Sequence, residues 1–131
     1  MKKCIVSALC LGALLFGGLT GCVSRATPPA DRRVTVAEDL GRDLVITDVR
    51  CGKVASPYCT FQANVVNTTG SDLGIEWKIV WLDARGMAIE DPGAGVWNRQ
   101  MLPARGIQSL RTTATRMEAA DMMFHVRALR Q

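Results

Sequence analysis

The stretch Leu73-Gly74-Ile75-Glu76-Trp77-Lys78-Ile79-Val80-Trp81-Leu82 carries the strongest periodic signal in the chain. Leu73, Ile75, Trp77, Ile79 and Trp81 recur at every second position, with Glu76 and Lys78 between them. A period of two puts the apolar set on one face of a β-strand, whereas a helix would scatter it around the cylinder. Toward the end Val80 and Leu82 make the second face apolar as well. That is the pattern of a central strand covered on both sides, and Trp77 and Trp81 read as core residues.

The same alternation extends in both directions. Upstream, Phe61, Ala63 and Val65 alternate with Gln62 and Asn64 over residues 60–67. Residues 43–51 are rich in β-branched side chains; Val45, Val49 and Cys51 fall on one face and Asp48 and Arg50 on the other, with Ile46 breaking the pattern. Val34 to Val36 reads as a short edge strand. Downstream, Met87 to Ile89 reads as a short strand, Trp97 begins another segment, and Ile107 to Thr113 alternates weakly, as an edge strand does. Met122 to Leu129 closes the domain, with Met122, Phe124, Val126 and Ala128 inward and His125 and Arg127 toward water. Polar, glycine-containing turns separate these segments at Asn67–Asp72, Asp83–Gly86, Asp91–Gly95 and Leu102–Gly106. Thr115 followed by Glu118 has the spacing of a capping box, which predicts a helix of one or two turns within residues 114–121. The sum is a mostly β domain: an antiparallel β-sandwich of six or seven strands with at most one short helix.

At 131 residues the chain holds one domain, which excludes a two-domain enzyme or a (β/α)₈ barrel. Hydrophobic residues at 48% and charged residues at 21% exclude a disordered polar tail. The first 22 residues have their own logic. Lys2 and Lys3 precede an apolar run from Ile5 to Leu19, the layout of a secretory signal peptide over residues 1–21. As a helix that run rises about 22 Å, short of the ~30 Å hydrocarbon core. Leu19-Thr20-Gly21-Cys22 resembles the bacterial lipobox, in which the cysteine thiol accepts lipid after cleavage on its amino side. Val23 stands where Asp would favour retention at the inner membrane, so the expected address is the outer membrane, lipid-anchored and facing the periplasm. Residues 22–38, with Pro28-Pro29 and small or charged neighbours, read as the lipidated Cys22 and a tether. The sandwich domain is expected over 39–131.

The leader holds two lysines and no acid, so its removal lowers the net charge from +4 to +2. A charge this small, in that compartment, argues against nucleic acid as a partner. Of five cysteines, Cys4 and Cys10 leave with the leader and Cys22 takes lipid. Cys51 and Cys59 remain in an oxidising compartment, where a disulfide is the favoured fate. Closing that ring contributes about 2.5 kcal/mol by loop entropy. Two reduced thiols or a metal site are the alternatives, although two Cys and the distant His125 fall short of four zinc ligands.

Motifs for nucleophile elbows, zinc proteases, phosphate loops and dinucleotides are absent from the sequence. His125, the single histidine, sits between Phe124 and Val126 and reads as a surface residue rather than a catalytic one. Glu90 and Asp91 are adjacent in a glycine-rich loop and read as a solvated turn in preference to a cation site. The reading is therefore of a non-enzyme without cofactor or metal. Trp97 follows Gly93-Ala94-Gly95; it either covers the open end of the core or, with Arg99, forms a recognition patch.

The lipobox at Cys22, the Asn64-Val65-Val66-Asn67 strand end, Trp81-Leu82-Asp83-Ala84-Arg85-Gly86, Trp97 and the Phe124-His125-Val126-Arg127 ending together resemble the YcfL-type small bacterial lipoproteins. The resemblance covers nearly all of the chain after the leader. It implies an immunoglobulin-like sandwich and a cell-wall setting, and it carries over no catalytic residue. The Cys51–Cys59 pair is not part of that pattern. The resulting expectation is a lipid-anchored periplasmic module that binds or helps assemble another envelope protein. The alternative is a glycan- or peptidoglycan-binding lipoprotein. Mass spectrometry of the protein from its native host is expected to find a chain starting at an acylated Cys22. A chain carrying Met1 and a bare Cys22 would contradict both the leader and the lipid.

Overall fold

A computed structural model describes residues 31–130. The signal peptide at 1–21, the lipid acceptor Cys22 and the first part of the tether lie outside the described residues. Seven strands form two sheets: β1 (Val34–Val36), β2 (Leu44–Gly52), β3 (Thr60–Asn67), β4 (Leu73–Leu82), β5 (Asn98–Leu102), β6 (Ile107–Thr113) and β7 (Asp121–Ala128). One sheet runs β1-β7-β4-β5 and the other β2-β3-β6. The chain crosses between sheets after β1, β3, β5 and β6, which gives the immunoglobulin-like sandwich. Residues 73–82 form a central strand, as their two-sided apolar pattern requires, and Ile107–Thr113 lies at a sheet edge. All pairings are antiparallel except β1 with β7, which is parallel. Val34 to Val36 takes the edge of β7 that β4 leaves open, with Val34 opposite Phe124 and Val36 opposite Val126. Arg33 fixes the approach, bonding Asp31 (2.7 Å) and Asp121 (3.1 Å).

The core is the space between the inner faces. Phe61 on β3 meets Phe124 on β7 with ring centroids 4.8 Å apart, and Trp77 meets Phe124 edge-on at 6.2 Å. Trp81, Ile75, Val65, Leu102 and Met122 are among the other large side chains buried with them. These are the residues that the period of two turns inward.

Four expectations are corrected. In β2 the inward residues are Leu44 and Ile46, then Val49 and Cys51; Val45 points out and is 46% exposed. A bulge between Thr47 and Arg50, with Asp48 at φ 53°, inserts the residue that changes the phase. Asn64 steadies it by donating to the Asp48 carboxylate at 3.0 Å. Residues 87–89 are reduced to one bridge, Leu82 with Ala88, because the turn is held by Asp83 accepting from the Arg85 and Met87 amides. The helix expected in 114–121 does not form. Thr115 gives its amide and hydroxyl to the Asp91 carboxylate, at 2.6 and 3.0 Å, instead of capping toward Glu118. Asp91 accordingly is a buried anchor and not a solvated turn residue.

Asn67, the last residue of β3, is fully buried. Its Nδ2 approaches the carbonyls of Ser71 (2.8 Å), Pro103 (3.0 Å) and Leu102 (3.2 Å), and its Oδ1 accepts from the Thr69 amide and hydroxyl. One side chain thus ties the β3–β4 turn to the β5–β6 turn across the two sheets. Asn67→Ala strands several of these polar groups in a dry setting. It is expected to cost about 2–4 kcal/mol in urea unfolding; a loss below about 0.5 kcal/mol would contradict the bridging role.

Candidate functional site

Once the inner faces are committed to the core, ligands can meet the chain only at outer faces and loops. The outer face of the four-stranded sheet brings an indole and four charged side chains together. Register places Arg99 on β5 beside Glu76 on β4, and Arg127 on β7 on its other side. Glu76 is 7% exposed at its side chain because the two arginines cover it: Arg127 Nε donates at 2.8 Å and Arg99 Nε at 3.3 Å. The Arg127 hydrogen bond holds the Glu76 carboxyl below the usual carboxylate range; its burial opposes this, and Arg99 adds to the lowering.

Trp97 precedes β5 and lies over this cluster. The Arg127 guanidinium is 3.8 Å from the ring centroid and Lys78 Nζ is 4.8 Å away. Guanidinium and ammonium groups at these distances are attracted by the ring's negative face. Arg127 therefore has two partners, a carboxylate and an indole, and orders both. Trp97 is half-buried and outside the core, so it does not cap the core's open end. Arg99 is not in contact with the ring, but lies beside it with 73% of its side chain exposed. Of the expected patch the structure brings Trp97 and Arg99 to one face; Glu76, Lys78 and Arg127 are the members that sequence reasoning missed. Their signal was the alternation itself, which sets Glu76 and Lys78 opposite the core residues of β4 and Arg127 opposite those of β7.

The rest of this face is less polar. Gly74 lies under Leu129 and Met101; a Cβ there would come within 3.0 Å of the Leu129 side chain and 3.2 Å of the Met101 sulfur. Met101 itself is 54% exposed. His125, paired with Lys78 in register, is half-buried. Burial first, then the Lys78 charge, pushes its pKa down, so the imidazole is neutral at pH 7.

The two cysteines expected to pair are also brought together. Cys51 Sγ on β2 and Cys59 Sγ before β3 face each other at 2.8 Å as free thiols. Burial pushes the Cys51 thiol up, and the Cys59 sulfur adds to it. Among the described residues no group of three His, Cys, Asp or Glu side chains is placed to hold a metal ion.

Glu76 supplies a pH test. Its folded pKa lies below its unfolded one, so its stabilising effect is present above the unfolded value and is lost as pH falls through the folded value. Tryptophan emission is expected to change in acid, below the ordinary glutamate range, as Arg127 loses its carboxylate partner. That step should be absent in Glu76→Gln; an unchanged step in the variant would break the link from Glu76 to Trp97.

A family model described as "Protein of unknown function (DUF1425)" matches residues 31–128. Two solved structures share the fold. One is Campylobacter jejuni cj0090, 18% identical, with a TM-score of 0.66 over 76% of this chain and 100% of that one. The other is a DUF1425 family member from Shewanella sp. pv-4, 17% identical, with a TM-score of 0.59 over 67% of this chain and 80% of that one. A search of curated proteins finds no match.

Proposed function

The chain belongs to the DUF1425 family, and we propose that it is a non-catalytic, lipid-anchored binding module of the bacterial envelope, docking another envelope protein on the outer face of its four-stranded sheet. In this reading it is a YcfL-type lipoprotein. Lipid on Cys22 holds it at the outer membrane facing the periplasm, and the oxidising compartment closes Cys51 to Cys59.

The observation that carries the reading is Trp97, held outside the core over Arg127 and Lys78 with Arg99 exposed beside it. Trp and Arg are the residues that dominate binding energy at protein interfaces. A ring fixed before binding loses little conformational entropy when a partner arrives. Lys78, Arg99 and Arg127 against the single carboxylate Glu76 leave the cluster positive, which favours an acidic surface on the partner. The partly exposed indole also supports a second reading, in which it stacks on a sugar of the cell wall.

A photo-crosslinking amino acid at position 101, on this face, distinguishes the two. One reproducible adduct with an envelope protein is expected in native membranes, falling about tenfold or more when Trp97→Ala is added. Adducts confined to cell-wall fragments would favour the sugar reading. Adducts indifferent to Trp97→Ala would overturn both.

A further inference from the structure

The outer face of the three-stranded sheet is a separate surface. Register sets Arg50 opposite Gln62, and Gln62 opposite Arg111, so the three side chains share one row across β2, β3 and β6. All three are exposed, while their strand neighbours Phe61, Ala63 and Leu110 are buried. Strand spacing puts the two arginine Cα atoms about 9–10 Å apart. Two long side chains can converge on one group across that gap.

The next row is Gly52, Thr60 and Thr113. The two threonine hydroxyls bond each other at 3.1 Å. Gly52 contributes no side chain, and a Cβ built there would meet nothing within 4 Å. The result is a depression of about 320 Å³ between the arginines and Thr60, with Cys51, Gly52 and Val54 at its side. Among the described residues neither Arg50 nor Arg111 has a carboxylate partner. Asp48, on the same strand as Arg50, is bonded to Asn64. Two guanidinium charges therefore share a row with no counter-charge, an arrangement that costs stability until an anion fills it.

We propose that the Arg50–Gln62–Arg111 row is a receptor for a phosphate monoester. The guanidinium fork matches tetrahedral oxyanions and binds them through paired N–H groups. Two such charges balance a doubly charged phosphate, whereas a carboxylate would supply only one. Gln62 Nε2–H and the Thr60 hydroxyl are the neutral donors for the remaining oxygens. A phosphate fills only part of the depression, so the group esterified to it has room along Gly52. The site lies on a different sheet from Trp97 and stands independently of the function proposed above.

The test is a titration of the full chain in detergent micelles, read by NMR at the backbone amides of β3. The probes are inorganic phosphate, glucose 1-phosphate and phosphatidic acid carried in the same micelles. Saturable shifts centred on Thr60 and Gln62 are expected, weakened about tenfold or more by Arg50→Gln with Arg111→Gln. Arg50→Lys with Arg111→Lys should recover part of the affinity, because it keeps the charge and loses the fork. Saturation by inorganic phosphate or glucose 1-phosphate assigns a free ligand; saturation by phosphatidic acid alone assigns a lipid headgroup. No saturable shift with any probe would overturn the proposal, as would equal binding by the folded double glutamine variant.

Discussion

Two sheets share a single dry space, and the contact of Phe61 with Phe124 across it is the constraint on which the rest of the molecule depends. Rings 4.8 Å apart in a core this small leave no room for polar chemistry. Truncating either aromatic would cost about 3–5 kcal/mol. Every strand spends alternate residues on this space, so function is confined to the other alternate set and to the turns. The polar side chains that do go inside, Asn67 and Asp91, serve the fold: each ties one turn to another.

The two outer faces resolve their charge differently. On the four-stranded sheet Glu76 neutralises part of the charge of Arg99 and Arg127, and Trp97 absorbs more through its ring. That face is braced before any partner arrives. On the three-stranded sheet Arg50 and Arg111 stand without a carboxylate across Gln62. One surface is organised by aromatic and ionic contacts; the other is incomplete in charge. Electrostatics thus separates two surfaces that the alternation of side chains alone would make equivalent.

Sandwich architecture was legible because a period of two needs only local information. The central place of residues 73–82, the inward set of β7 and the edge position of β6 all followed from it. What escaped depended on contacts distant in sequence. The pairing of β1 with β7 joins Val34 to Phe124, far apart in sequence, a fact of three-dimensional topology. The bulge at Asp48 leaves a single trace, Ile46 out of phase with Val49, which local polarity could not interpret. Thr115 and Glu118 have proper capping-box spacing, yet a carboxylate 24 residues away takes the Thr115 amide and hydroxyl. Trp97 and Arg99 could be named as a patch because exposed Trp is unusual. Arg127, which holds that Trp in place, read as one more wet-face charge.

Side-chain footprinting by hydroxyl radicals tests the central claim most directly, that the outer face of the four-stranded sheet is where this chain meets its partner. Met87 and Met117, 64% and 57% exposed and in loops away from the Trp97–Glu76–Arg127 contacts, serve as internal references. Trp97 and Met101 are predicted to oxidise in the purified protein and to be shielded in native membranes, with both references oxidised in each. Equal oxidation of Trp97 and Met101 in the two preparations would contradict it.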